Sequence, residues 1–136
     1  MTFTWNVRVR FVDTDASGRI HYTATFRYFE AAEFEFLRSR GVTYDDFPDC
    51  GFPRVHVECD YKSIARNDDL LTIAVKAAHL GNSSFTYAFE ATCESRPIAN
   101  GAITVVCLAK STMNPQPIPD RLRQALIQEP LDESTT

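Results

Sequence analysis

One segment of helical periodicity lies among several segments that alternate apolar and polar residues, and this contrast constrains the fold more than any other feature. Between residues 23 and 40 apolar side chains recur at spacings of three and four, which places them on one broad face of a helix. The face comprises Phe26, Phe29, Ala32, Phe36 and Leu37. Gly41 ends the pattern, and the basic residues just before it suit the helix dipole. A helix with so many phenylalanines needs a wide apolar surface to pack against.

Five segments with a period of two predict the strands of a sheet that provides this surface. The first precedes the helix, from residue 3 to residue 11, and four follow it. Their predicted ranges are 55–62, 70–78, 85–93 and 98–109. Short polar turns link the successive strands, which predicts antiparallel neighbours. A proline-rich connector follows, and Asp120 can cap a short closing helix over residues 121–128.

The chain length and this order of elements predict a single domain of the α+β class. The 136 residues, 44% of them hydrophobic, are enough for one core that helix and sheet must share. The sequence therefore predicts one long helix wrapped by a curved five-stranded antiparallel sheet. We expect the domain to span residues 1–128 and residues 129–136 to form a disordered tail.

Charge and cysteine usage exclude several classes of function. A formal net charge of −4 disfavours nucleic-acid and anionic-membrane binding, since both need a basic surface. The amino terminus lacks the pattern of a signal peptide, and the longest apolar run is too short to cross a bilayer, so a cytoplasmic protein is expected. The four cysteines form no CxxC pair and the three histidines have no helical i, i+4 partner. We therefore expect free, mostly buried thiols and no metal site.

The segment between the first strand and the helix carries the most informative motif. It reads Asp13-Thr-Asp15, Gly18, Ile20-His-Tyr22 and then Phe26-Arg-Tyr-Phe-Glu30. An aspartate-rich turn on its own would be interpreted as turn formation. In order and spacing, however, these residues resemble the signature of the 4-hydroxybenzoyl-CoA thioesterase family of hotdog proteins. The resemblance continues through residues 60–66, 69–71, 81–85 and 117–119, and so covers nearly the whole chain.

The resemblance implies hydrolysis of an acyl-CoA thioester to a free acid and CoA, with no cofactor because CoA is part of the substrate. The family's catalytic carboxylate maps to Asp15, and its oxyanion donor maps to the backbone N–H of Tyr22. Gly18 is expected to let the turn approach closely. Partial burial beside the helix start is expected to raise the pKa of Asp15, which then attacks directly or activates water. Asp13 is interpreted mainly as a turn former.

Four further residues are predicted to contact the substrate. His21 is a candidate contact, although a packed or solvent-facing histidine is the commoner case. Glu30 matches a position where relatives place an acid near the acyl group, and an exposed helix glutamate is the alternative. Some relatives hold the CoA phosphates with cations at the turn that corresponds to residues 81–84, which has none here. Lys62 and Arg66 are the nearest replacements, with plain surface charge as their alternative.

Two other functions on the same fold remain open from sequence, and the acyl group and its carrier are undetermined. One is a non-catalytic module that binds acyl-CoA. The other is a dehydratase acting on 3-hydroxyacyl thioesters, whose His-Phe-Pro-Gly-His run is only superficially similar to the residues from Phe52 to His56. The resemblance also implies a homodimer, or a tetramer built as a dimer of dimers, with the acyl group lying between subunits.

Overall fold

The computed structural model describes residues 2–127, and both the predicted helix and the predicted sheet form in it. The tail predicted to be disordered lies outside the described residues. The long helix, α1, spans Ala24–Ser39, one residue shorter at each end than predicted. It ends at Arg40, before Gly41, whose φ of +76° is a conformation that favours glycine.

Five strands form one antiparallel sheet, which confirms the predicted architecture. In chain order they are β1 (Phe3–Arg8), β3 (Arg54–Tyr61), β4 (Leu70–Leu80), β5 (Ser84–Cys93) and β6 (Arg96–Val106). Their order across the sheet is β1-β4-β5-β6-β3, and every neighbouring pair is antiparallel. The two strands β1 and β3 are therefore the edges. Short links between strands that are adjacent in sequence produce the central part of this order.

The helix packs across the sheet through its aromatic face. Phe29 is fully buried and its ring stacks on Phe89 of β5, with centroids 4.7 Å apart. Phe29 lies so close to β6 that a Cβ atom added to Gly101 would come within 2.5 Å of its ring. The absence of a side chain at Gly101 thus allows the helix to sit directly on the sheet.

Short elements that periodicity did not predict complete the fold. A second sheet contains β2 (Cys50–Gly51), β7 (Leu108–Ala109) and β8 (Asn114–Pro115). The segment predicted as one strand over residues 98–109 is therefore divided at Cys107, whose N–H bonds to the carbonyl of Ser83. The first strand ends at Arg8 rather than at residue 11, because Phe11–Asp13 form a 3-10 turn. A second such turn spans Tyr44–Asp46.

The closing helix, α2, spans Asp120–Leu126 and buries Leu122, Ala125 and Leu126 against the core. The four cysteines are free thiols, and all but Cys59 are buried. Neither helix of the described chain is long and apolar enough to span a lipid bilayer.

Candidate active site

The loop between β1 and α1 folds back on itself in a tight turn around Gly18. The Asp15 N–H bonds to the carbonyl of Arg19 at 2.8 Å, and the Gly18 N–H bonds to the carbonyl of Asp15 at 2.9 Å. Gly18 has a φ of +81°, a conformation that other L residues rarely adopt. A Cβ atom placed there would meet no atom closer than 3.9 Å. In the described chain it is therefore the backbone conformation that requires glycine, and the expected close approach of the turn to the substrate stays a prediction.

Asp15 lies at the surface of this loop. The N–H and the hydroxyl of Ser17 both donate to its Oδ1, at 2.8 and 2.5 Å. These bonds, that of the hydroxyl above all, lower the pKa of Asp15 below its ordinary value. The expectation that partial burial would raise this pKa is wrong for the described chain, because the side chain is exposed. The catalytic role of Asp15 remains a prediction.

The backbone N–H of Tyr22 has no hydrogen-bond partner among residues 2–127, although its neighbours do. The His21 N–H bonds to the Asp13 carbonyl at 2.8 Å, and the Ala24 N–H bonds to the His21 carbonyl at 2.9 Å. The carbonyl of Tyr22 accepts a bond of 2.6 Å from the Tyr61 hydroxyl. The peptide unit that carries the Tyr22 N–H is thus held through its His21 carbonyl, and the units on either side of it are also bonded, while the N–H itself has no partner in the described chain.

His21 is fixed by local contacts. Its Nδ1 lies 2.7 Å from the Thr23 hydroxyl, and its ring stacks on Tyr22 with centroids 4.7 Å apart. The ring is half-buried and borders the same loop as Asp15. The structure therefore places His21 near the predicted catalytic residues.

Asp13 does more than form a turn, since it ties the loop to the helix. Its carboxylate is buried, pairs with the Arg27 guanidinium and accepts a bond of 2.6 Å from the Tyr28 hydroxyl. The bond from Tyr28, followed by Arg27, lowers the pKa of Asp13 against the opposing effect of burial. Both partners lie in the first turns of α1. The position of the loop that carries Asp15 thus depends on Asp13.

Glu30 borders a cleft of about 350 Å³ between α1 and the edge of the sheet. The cleft is lined by Phe26, Arg27, Glu30, Arg54, Val57 and Ile103. More than half of the Glu30 side chain, 57%, is exposed to it and to solvent. Arg27, which binds Asp13, connects this cleft with the loop of Asp15. The three apolar side chains of this cleft, Phe26, Val57 and Ile103, suit an acyl group.

Lys62 lines a second cleft, of about 270 Å³. Its wall contains Arg19, Ile20, Tyr22, Tyr61, Lys62, Ser63, Ile64 and Ala65. The guanidinium of Arg66 lies beside Gly18, 3.9 Å from where a Cβ atom would be. Within residues 2–127, Arg19, Lys62 and Arg66 form no ion pair with a carboxylate. Arg19, which sequence reasoning missed, shares the cleft with Lys62 and pairs with Arg66 through an isolated antiparallel bridge.

A buried charged network, of which Arg54 lines the first cleft, was also missed. Glu33 is fully buried, and Arg54 donates to both of its oxygens, at 2.7 and 2.8 Å. The Tyr44 hydroxyl donates to Glu33 and lies 2.8 Å from the Tyr87 hydroxyl. Burial raises the pKa of Glu33, and Arg54 opposes this shift. The sequence signal for this network was the position of Glu33, four residues after Phe29 and on the apolar face of the helix.

Comparisons with known proteins agree with this arrangement. The sequence profile of the thioesterase superfamily matches residues 17–99. A 1,4-dihydroxy-2-naphthoyl-CoA hydrolase from Nostoc punctiforme is 30% identical over 129 residues, which cover 93% of this chain and 87% of that protein.

Two solved structures extend the comparison to the fold. A 1,4-dihydroxy-2-naphthoyl-CoA thioesterase from Synechocystis has a TM-score of 0.88 at 21% identity, covering 93% of this chain and 96% of that one. A gentisyl-coenzyme A thioesterase has a TM-score of 0.82 at 27% identity, covering 91% and 99%. The predicted hotdog fold is confirmed.

Proposed function

Because this chain belongs to the thioesterase superfamily and is a thioester hydrolase, we propose that it cleaves acyl-CoA to a free acid and CoA with Asp15 as the reacting carboxylate. One observation carries the proposal: an ionised Asp15 and the unpaired N–H of Tyr22 belong to the same short loop before α1. The hydrolase names of the relatives also favour this function over the binding module and the dehydratase.

The chemistry needs only the carboxylate, water and the backbone donor. Either the Asp15 carboxylate attacks the thioester carbonyl and water hydrolyses the resulting anhydride, or Asp15 takes a proton from an attacking water. In both cases the carbon–sulfur bond breaks and the thiolate of CoA leaves. A thiolate is a stable leaving group, so the reaction proceeds without a cofactor and without a strong general acid.

The Tyr22 N–H is proposed to stabilise the oxygen that becomes negative during the attack. A donor that is already oriented needs no reorganisation when charge develops, and losing one such donor typically lowers the rate about 10² to 10³-fold. The Ala24 N–H bonds to the His21 carbonyl of the peptide unit that carries this donor, and the Tyr61 hydroxyl holds the next unit through the Tyr22 carbonyl. Gly18 supplies the turn that brings Asp15 and the helix start onto one loop.

The two clefts that flank the loop are proposed to hold the two parts of the substrate. The acyl group would enter the cleft bordered by Glu30, where three of the six lining side chains are apolar. Lys62 and Arg66, together with Arg19, would hold the CoA phosphates. These cations form no ion pair with a carboxylate in the described chain, and cations attract anions. His21, whose sequence neighbours Ile20 and Tyr22 line the second cleft, would contact the substrate near the thioester.

We also propose that the chain forms at least a homodimer, with a tetramer built from two dimers as a further step. Strand β3 is an edge of the sheet, and its side chains Val55 and Val57 are 59% and 49% exposed. Val57 also lines the acyl cleft, which is therefore open along this edge. A second subunit against β3 would cover the apolar residues and close the cleft.

Asp15→Asn tests the proposal most directly. It keeps the shape of the side chain but removes the nucleophile or base, so kcat should fall by several orders of magnitude while acyl-CoA still binds. The measurement is release of free CoA across a panel of aromatic and aliphatic acyl-CoAs, beginning with hydroxylated aromatic ones because relatives carry such names.

The matched control is Asp45→Asn, since Asp45 is exposed and lies in the 3-10 turn away from the loop. This variant should keep wild-type kcat. Full activity of Asp15→Asn would show that Asp15 does not react. Binding without turnover by the wild-type chain on every thioester of the panel would contradict the proposed reaction.

A further inference from the structure

The Tyr22 carbonyl obtains its hydrogen bond from a side chain of the sheet. No backbone N–H of residues 2–127 donates to it, because the Phe26 N–H bonds to the Thr23 carbonyl instead, at 3.2 Å. Its partner is the Tyr61 hydroxyl of β3, at 2.6 Å. Since Tyr61 is 39 residues away along the chain, this bond fastens the loop before α1 to an edge strand of the sheet.

The Tyr61 hydroxyl keeps the proton that it donates in this bond. Desolvation, above all, raises the pKa of Tyr61 to about 12, so the hydroxyl stays protonated at neutral pH. The Thr25 side chain, buried in the first turn of α1, hydrogen-bonds to the same hydroxyl and opposes this shift. Such an opposing effect is that of a donor, so Thr25 donates to the Tyr61 oxygen while Tyr61 donates to the Tyr22 carbonyl.

The peptide unit that Tyr61 holds is also held at its other end, by His21. The Tyr22 carbonyl and the Thr23 N–H belong to one peptide unit, and this N–H donates to Nδ1 of His21 at 3.2 Å. Hydrogen bonds in a chain polarise one another, so a donor to the carbonyl strengthens the bond made by the N–H. One chain of bonds therefore runs from Thr25 through Tyr61 and the peptide unit to the imidazole.

This chain of bonds decides which nitrogen of His21 carries the proton. The Thr23 N–H can only donate, so Nδ1 accepts with its lone pair and the neutral ring has its proton on Nε2. The Thr23 hydroxyl lies 2.7 Å from the same nitrogen. After Ser17 and Arg19, His21 also lowers the pKa of Asp15, which indicates that the ring lies near this carboxylate. The nitrogen of His21 left for the substrate is thus a donor.

We infer that Tyr61 is a positioning residue of the reaction, which orients the Tyr22 N–H and holds His21 as an Nε2–H donor. It acts through the peptide unit between Tyr22 and Thr23, because a rotation of this unit would move both groups. The inference rests on the proposed function, since it takes the Tyr22 N–H as the oxyanion donor.

Tyr61→Phe tests this role, because it removes only the hydroxyl and keeps the ring that lines the second cleft. A donor displaced by about 1 Å can cost about 10²-fold in rate, so kcat should fall about 10- to 100-fold. KM should stay close to that of the wild type, since the wall of the cleft is unchanged. The measurement uses the acyl-CoA of the panel that the wild type hydrolyses fastest.

The tautomer of His21 gives a second readout, which does not depend on turnover. Nitrogen NMR of protein with isotope-labelled histidine should show the neutral His21 ring protonated at Nε2 in the wild type. In Tyr61→Phe the bond at Nδ1 is weaker, so the ring should shift towards a mixture of the two tautomers. The resonances of His21 are those that disappear in His21→Gln.

Two threonine variants separate the chain of bonds from a general loss of stability. Thr25→Val should lower kcat in the wild type but have little further effect in Tyr61→Phe, because both changes interrupt the same chain. The matched control is Thr86→Val, which removes a bond of 2.9 Å to Thr104 on the face of the sheet opposite α1. It should keep the kcat and the His21 tautomer of the wild type.

Wild-type kcat in Tyr61→Phe would overturn the inference, as would a wild-type His21 ring protonated at Nδ1. An equal loss of kcat in Thr86→Val would also overturn it, because destabilisation would then explain both losses. If Tyr61→Phe does not fold, Thr25→Val supplies the same two readouts. If the wild type hydrolyses no thioester of the panel, the proposed function fails, and the spectra of His21 still decide whether Tyr61 holds its ring.

Discussion

Asp15 and Asp13 are two residues apart, yet the fold gives them opposite environments. Asp15 is exposed, while Asp13 is buried against Tyr28 and Arg27. Both have a lowered pKa, the first from Ser17 and the second from Tyr28. A lowered pKa keeps both carboxylates ionised at neutral pH, which is the form that Asp15 needs for either of its proposed roles. The neighbouring Asp13 then serves to position the loop.

The pH dependence of hydrolysis should reflect this environment. The ionised form of Asp15 is lost only as pH falls through its pKa, which lies below the ordinary 3.8. The profile of kcat/KM should therefore stay level on the acid side until pH approaches that value. Ser17→Ala removes the hydroxyl that contributes most to the shift, so its acid limb should move to higher pH. A wild-type acid limb far above 3.8 would instead indicate that a second subunit desolvates Asp15.

Asp13→Asn should destabilise the fold in a pH-dependent way. Because the pKa of Asp13 is lowered on folding, its stabilisation is present above the unfolded value of 3.8 and is lost as pH falls through the folded value. At neutral pH the variant should lose about 2 kcal/mol, typical of hydrogen bonds to a buried charge, and the difference should shrink in acid. Urea unfolding at several pH values measures it. Asp45→Asn, an exposed counterpart, should change little, and an equal loss at every pH would argue against this role.

At the scale of elements, sequence periodicity predicted the helix and strands whose apolar residues recur regularly, and it missed the short elements that lack such a pattern. The helix and the five strands were predicted because their apolar faces recur over many residues. The pairing of β2 with β7 involves two residues from each strand, too few to form a pattern. The motif located the loop, but alternation stops there, so nothing in the sequence distinguished the exposed Asp15 from the buried Asp13. Glu33 could have been predicted, since it interrupts the apolar face of α1.

The contact between α1 and β6 gives a prediction about packing. A Cβ atom at position 101 would lie 2.5 Å from the Phe29 ring and 2.9 Å from the Glu58 carbonyl, and neither neighbour can easily move. Gly101→Ala should therefore cost about 1–3 kcal/mol through overpacking. At Gly51 the nearest atom is the end of the Leu108 side chain at 3.3 Å, so Gly51→Ala should cost less. Thermal unfolding compares the two, and equal stability would show that the helix can shift away from the sheet.

At the scale of the whole molecule, the two edges of the sheet differ. On β1 the apolar residues Phe3, Trp5 and Val7 are packed against the core, and Thr4 and Asn6 are exposed. On β3 the exposed residues include apolar ones, and an edge strand of this kind associates unless it is covered. The cleft proposed to hold the acyl group opens along β3, so a subunit that covered this edge would also complete the proposed site.

Activity should therefore depend on association through β3. Val55→Asp would place like charges near the two-fold axis of a dimer, because the same surface meets itself there. Light scattering should show the wild type as a dimer or tetramer and this variant as a smaller species, with kcat/KM reduced in proportion to the monomer present. Thr4→Asp on the opposite edge is the matched control and should keep both the mass and the activity of the wild type. A wild-type monomer that hydrolyses acyl-CoA at full rate on dilution would mean that one chain closes its own cleft.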